Sequence, residues 1–269
     1  MHLKIDNKSK QEIFVAIFQI LKQWSSHVNM HFEKDKLYIQ SMDKSHVCFA
    51  DISIRSNWFN HYECVNNANV CVDSSHFAIL MGYSLKHGVL ELQFDKDNNG
   101  ADTDKLYINF LNGQVQEKGK EKKNASFDHF FELNLIDTEE DQMGIPQVDY
   151  DVDFTIDCKK WVDVLSELNT IGQDLNVVCK QDVVELNATG DAAKLKVNIP
   201  VDELTEYAIA EDTILDISYS LGHLCKMCCS SKLGVNVDIS LSDEYPMMLK
   251  YNLGDESRVI FYIAPKVHD

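Results

Sequence analysis

The side chains best suited to chemistry in this chain are a thiol and imidazole cluster, His223-x-Cys225-x-x-Cys228-Cys229, and two carboxylate runs, Asp95–Asp104 and Asp137–Asp141. Thiolates and imidazoles hold zinc tetrahedrally, and a structural zinc site closes with a second ligand pair at matching spacing. No such pair stands out among the other cysteines, at 48, 64, 71, 158 and 179, so the cluster reads as small buried side chains on a helix. Clustered carboxylates can bind a divalent cation, but both runs fall in loop or linker sequence, where they read as solvated charge. The histidines are scattered, without a Cys–His or Ser–His–Asp grouping. There is no G-x-S-x-G, no H-E-x-x-H and no Gly-rich phosphate loop. The sequence therefore calls for no metal, no cofactor and no catalytic group, and predicts a protein that is not an enzyme.

Charge narrows the partners. The net charge is −18, from 43 acids against 25 bases, and only Arg55 and Arg258 among those bases are arginine. DNA affinity comes largely from neutralising phosphates, so an acidic surface resists non-specific nucleic-acid binding. The longest apolar stretches, such as Ile13–Ile20, are too short to span a bilayer. Met1–Asp6 lacks the apolar run of a signal peptide. Cysteines at irregular spacing do not make a disulfide framework. These features lead us to expect a soluble, intracellular protein with no membrane partner.

The elements that position the side chains come in two copies. At a shift of 147 residues, Phe14, Ile17, Phe18, Leu21 and Trp24 fall on Trp161, Val164, Leu165, Leu168 and Ile171. That spacing is one apolar face of an amphipathic helix, met twice in one register. Leu37 and Ile39 fall on Val184 and Leu186, His76 and Phe77 on His223 and Leu224 near the start of a second helix. Leu90, Leu92 and Phe94 then fall on Val237, Ile239 and Leu241. Each copy reads helix, strands, helix, strands. The strands alternate apolar and polar, so one face is buried and one is wet. The fold class is α+β: two similar domains per chain, each with antiparallel sheets and two helices on one face. The expected boundaries are 1–136 and 150–269, joined by an acidic linker over 137–149 that carries Gly144 and Pro146. The polar insert Gln116–Lys123 reads as a solvated hairpin loop.

With repeat and linker placed, three segments resemble the proliferating cell nuclear antigen (PCNA) family of DNA sliding clamps. Gln40-Ser-Met-Asp-Lys-Ser-His-Val47 resembles that family's S-M-D-x-S-H-V. Met143-Gly-Ile-Pro146 followed by Asp149-Tyr150 resembles L-G-I-P…E-Y, and Tyr262-Ile-Ala-Pro-Lys-Val267 resembles Y-L-A-P-K-I. Weaker likeness runs through Ile171-Gly172 and Asn187-Ala-Thr-Gly190.

The resemblance implies the clamp fold, three subunits in a homotrimeric ring around duplex DNA, and helices lining the hole. It implies that the three segments converge on a pocket for a short 3₁₀-like peptide, the PIP box, carried by DNA polymerase, ligase, flap nuclease and clamp loader. Met42, Val47, Phe49, Met143, Gly144, Ile145, Pro146, Tyr150, Tyr245, Pro246, Tyr262 and Pro265 would form that socket. His46 and the backbone around Ala264 would hold the peptide's polar side, with Lys266 in the same pocket. On the same likeness Lys10, Lys22, Lys86, Lys159, Lys160, Lys226 and Lys232 would face DNA. Phe131 and Leu133 would meet Leu195 and Val197 of the next subunit. The site of action would be the nucleus or another intracellular site of DNA replication.

The chain also departs from the family. Val15 and Ala16 stand where two lysines are usual, and Asp163, Ser166, Thr170 and Ser220 stand at other basic positions. Gln181, beside Lys180, occupies the place of the lysine that the family uses for ubiquitin attachment. A depleted pore suits a second reading: a clamp-like subunit of a hetero-oligomeric ring, or an interaction hub with little DNA contact of its own.

Overall fold

The computed structural model describes residues 1–94, 104–112, 127–138, 142–228 and 230–266. The insert at 116–123, most of the 95–104 carboxylate run, residues 139–141 of the linker, Cys229 and Val267 lie outside the described residues. In chain order the elements are β1 (His2–Ile5), α1 (Lys8–Leu21), β2 (His27–Phe32), β3 (Lys36–Met42), β4 (Cys48–Arg55), β5 (His61–Glu63), β6 (Ala68–Asp73), α2 (Ser74–Ser84), β7 (Val89–Gln93), β8 (Lys105–Leu111) and β9 (His129–Asn134). They continue with β10 (Val152–Asp157), α3 (Cys158–Asn169), β11 (Asp174–Cys179), β12 (Val183–Thr189), β13 (Lys194–Pro200), β14 (Glu206–Ile209), β15 (Leu215–Ser220), α4 (Leu221–Met227), β16 (Asn236–Leu241), β17 (Met247–Gly254) and β18 (Ser257–Ile263).

These elements form two compact units that do not simply follow the chain. Unit 1 comprises Met1–Ser41, Ile52–Gln142 and Gly254–Ser257; unit 2 comprises Met42–Asp51, Met143–Leu253 and Arg258–Asp269. The turn at Met42–Val47 thus belongs to the same unit as the linker end and the carboxyl-terminal strand.

In unit 1, β5-β1-β7-β8-β9 make an antiparallel sheet, and β3, β2 and β6 pair antiparallel in that order. Helices α1 and α2 pack side by side, α1 on β1 and α2 on β2 and β6. Side-chain caps start both. Asn7 accepts from the Lys10 N–H at 3.1 Å, and Asp73 from the His76 N–H at 2.8 Å. Phe14, Phe18 and Phe77 are buried with edge-on ring contacts at 5.0 and 4.6 Å. Each such ring contributes roughly 1.5–3 kcal/mol by leaving water. Val15 and Ala16 are buried as well, each 5% exposed. Their apolar character is therefore a packing requirement of α1.

Unit 2 repeats the plan. β14-β10-β16-β17 are antiparallel neighbours, and β13-β12-β11-β15 form a second sheet. The equivalence extends to register: Asn29 faces Gln40 as Asn176 faces Asn187, and His27 faces Asp73 as Asp174 faces Ser220. Both pairs differ by the 147-residue shift read from the sequence. Asp157 caps α3 through the Lys160 N–H at 2.9 Å. The close of α3 needs glycine. A Cβ at Gly190 would lie 1.9 Å from the Ile171 carbonyl oxygen, and one at Gly172 would lie 2.7 Å from that of Thr189.

Two further devices recur. Tyr62 Oη lies 2.6 Å from the Glu33 carbonyl oxygen in unit 1, and Tyr207 Oη donates to that of Lys180 at 2.5 Å in unit 2. In each unit the segment after the last strand returns to a sheet edge. Ile136 N–H donates to the Cys71 carbonyl at 2.9 Å, and Lys266 N–H to that of Ser218 at 2.8 Å. Covering an edge removes a template for unwanted strand pairing. The edges of β9 and β13 have no such cover among the described residues. No helix among the described residues is long and apolar enough to cross a membrane.

Candidate functional site

Unit 2 carries a cavity of about 300 Å³, within the size range of small-ligand and peptide-anchor pockets. Three distant stretches supply it: Met42 and His46 to Phe49, the connector residues Met143 to Pro146 with Val148 and Tyr150, and Tyr262 with Ala264. Tyr245 and Pro246, between β16 and β17, complete the wall. These are the stretches the sequence singles out, brought together by folding. Its lining is predominantly aliphatic and aromatic, suited to anchors that leave water on binding.

The walls are held from within. The Ala264 N–H donates to the Val47 carbonyl at 2.9 Å, so that group is engaged inside the wall. Tyr150 Oη donates to the Pro246 carbonyl at 3.3 Å, its ring 6.4 Å from that of Tyr245. Phe49 and Tyr262 lie with ring centroids 6.0 Å apart. Burial pushes the Tyr262 phenol up to about 12, with Tyr150 and Asp51 adding to the effect. Burial, then Asp153, also raises Tyr150. Both phenols are neutral donors at physiological pH.

The turn from Asp43 to Cys48 is organised by one carboxylate. One Asp43 oxygen accepts from the N–H groups of Val47 and Cys48, at 2.8 and 2.7 Å. The other accepts from the Ser45 hydroxyl and, at 3.3 Å, from the Ser45 N–H. Burial pushes the Asp43 carboxyl up, but the Ser45 hydroxyl and the three N–H groups outweigh it and hold the group below the usual carboxylate range. His46 takes a left-handed conformation, φ 57°, which turns the chain sharply back towards Val47.

Of the predicted socket residues, all but Pro265 and Lys266 line the cavity. Lys266 instead places Nζ 2.7 Å from both Asp174 carboxylate oxygens. Cys48 and Val148 line it too and escaped the sequence reading. Their neighbours Val47, Phe49 and Pro146 were the visible signal.

The predicted basic residues divide by their surroundings. Lys10 donates to the Trp58 carbonyl at 2.5 Å and lies 3.6 Å from Asp255, with its side chain only 29% exposed. Lys160 pairs with Glu203 at 3.1 Å. Lys86 lies 5.8 Å from the centre of the Tyr83 ring. Lys159, Lys226 and Lys232 are exposed, and Lys22 sits at the end of α1. Phe131 and Leu133 are half-buried on β9, and Leu195 and Val197 half-buried on β13. Each pair therefore sits on an edge strand whose outer side has no strand neighbour among the described residues.

Around the thiol cluster, Cys225 Sγ lies 3.7 Å from the Leu165 carbonyl oxygen, and Tyr251 Oη lies 3.5 Å from Cys228 Sγ. The described residues contain no group of three or more His, Cys, Asp or Glu placed to hold a metal ion.

Comparison with known proteins covers almost the whole chain. Residues 6–142 match the model of the proliferating cell nuclear antigen N-terminal domain, and residues 144–266 match that of its C-terminal domain. Proliferating cell nuclear antigen 2 of Plasmodium falciparum (isolate 3D7) is 27% identical over 265 residues, 96% of this chain and 97% of the relative. The proliferating cell nuclear antigen of Chaetomium thermophilum is 23% identical over 264 residues, 96% and 95% of the two chains. The crystal structure of PCNA from Thermococcus kodakaraensis superposes with a TM-score of 0.82 at 16% identity, over 98% of this chain and 99% of that one. That last likeness is one of fold.

Proposed function

The chain belongs to the proliferating cell nuclear antigen family, and on that premise we propose that it is a DNA sliding clamp. In this reading three copies close head to tail around duplex DNA, at the intracellular site of replication. Replication and repair proteins, among them polymerase, ligase, flap nuclease and loader, dock through PIP-box peptides. The chain carries out no chemistry itself, as members of this family are non-enzymatic clamps.

The observation that carries the reading is the cavity of unit 2. Sequence stretches about a hundred residues apart meet in one apolar socket, and such a pocket recognises a peptide by a few buried anchors. Calorimetry with a PIP-box peptide tests it. We expect micromolar affinity, since a short peptide loses freedom on binding. Val47→Ala combined with Ile145→Ala should weaken binding by about 2–3 kcal/mol, the range for two buried anchors. Unchanged affinity in the double variant would mean that the socket is not the docking site.

The charge of −18 favours a second reading, a subunit of a hetero-oligomeric ring. The mass of the purified particle separates the two: a stable trimer of the 30.8 kDa chain supports the first, a monomer the second.

A further inference from the structure

His223 lies in the first turn of α4 and does not line the socket. Its Nε2 faces the carboxylate that organises the socket wall, 3.8 Å from Asp43 Oδ2, and its Nδ1 lies 2.9 Å from the Ser220 hydroxyl. Ser220 holds the position from which a side chain caps a helix. The equivalent residues Asn7, Asp73 and Asp157 each accept a backbone N–H of their helices, whereas Ser220 makes no side-chain cap bond. Its hydroxyl is turned to the imidazole instead. When that hydroxyl donates to Nδ1, the ring proton resides on Nε2, the nitrogen facing Asp43.

Asp43 is only 7% exposed, and it sits in a loop whose other polar contacts are neutral N–H and O–H donors. A buried carboxylate gains from each N–H donor or positive charge that faces it. α4 presents His223 and, one turn on, Lys226, whose charge is felt at Cys48 beside Asp43. The loop and α4 meet through this pairing.

We propose that His223 is a positioning residue for the peptide socket: by holding Asp43 it anchors the 43–48 wall to α4. Peptide affinity then depends on a residue that does not touch the peptide. The proposal rests on the reading of the socket as a peptide site.

The test compares wild type with His223→Leu, which removes the polar partner, and His223→Arg, which keeps N–H donors facing Asp43. Two quantities are measured: affinity for a PIP-box peptide, and amide hydrogen exchange of Val47 and Cys48 in the free protein. The leucine variant should bind about fivefold more weakly and exchange those amides about fivefold faster, as for loss of one partly buried polar contact. The arginine variant should stay within about twofold of wild type on both, since a donor still faces the carboxylate. In an Asp43→Asn background the two variants should no longer differ. If leucine behaves as wild type, or arginine no better than leucine, the proposal is overturned. Should the leucine variant not fold, His223→Ala takes its place under the same criteria. If wild type binds no peptide, the functional reading fails, while the exchange rates still decide the role of His223.

Discussion

His87 shows how one enclosed side chain links packing to conditions. It is 4% exposed, its ring 5.5 Å from Phe110 and 4.7 Å from His129. Its Nδ1 has no hydrogen-bond partner among the described residues. Burial, then the neighbouring His129, pushes its pKa below the ordinary histidine value of 6.5. The folded state therefore favours the neutral ring. The stability it contributes is present above about pH 6.5 and is lost as pH falls through the lower folded value, where the unfolded chain takes up the proton more readily. Urea unfolding between pH 7.5 and 5.5 should show wild type losing more stability than His87→Phe. Equal losses would contradict this account. At this scale the sequence names residues well where a motif carries them, as with Val47 at the end of Gln40–Val47. It shows Asp43 and His223 separately, but their meeting across the chain depends on tertiary structure.

The secondary-structure elements were the most legible level, because a face that must be buried twice leaves the same apolar spacing twice. The 147-residue shift carries β2, β3, β6 and the starts of α2 and β7 onto β11, β12, β15, α4 and β16. It fails where register slips. Tyr62 and Tyr207 are 145 apart although they bond carbonyls 147 apart, so that latch escapes a single-shift comparison. The grouping of Met42–Asp51 with the second unit does not show in the apolar periodicity, only in the motif resemblance, since it depends on β4 lying beside β18. Edge strands give the sharpest element-scale prediction. β9 and β13 carry half-buried apolar side chains and leave one side without a strand partner among the described residues, while the edges of β6 and β15 are covered. Ring closure by β9 of one subunit against β13 of the next would satisfy both, in a heterologous contact that closes. Phe131→Asp places a charge in that joint. We expect light scattering at tens of micromolar, a customary working range for such a contact, to show trimers for wild type and monomers for the variant. Circular dichroism should remain unchanged. A wild-type monomer, or a variant that stays trimeric, would rule the joint out.

On the scale of the whole molecule, the proposed clamp role would set a protein of net charge −18 on DNA, and topology would reconcile the two. A closed ring cannot leave a circular duplex however weak its contacts. In the proposed clamp, phosphate attraction would centre the DNA and contribute little to retention. Several helix positions that are basic in the family are apolar or acidic here, Val15 and Ala16 being buried outright and Asp163 exposed. Lys10 and Lys160 have acidic neighbours within the chain. Few phosphates should be neutralised, and the salt dependence should be correspondingly shallow, at about 0.9 log units per contact on B-DNA. The most direct measurement compares nicked circular DNA with the same DNA cut once. The protein is loaded by a clamp loader with ATP, washed in high salt, and the DNA-bound fraction is separated by gel filtration. The account predicts that protein stays on the circles and is lost from the linear molecules. Retention on both forms, or loss from both at the same salt concentration, would contradict it.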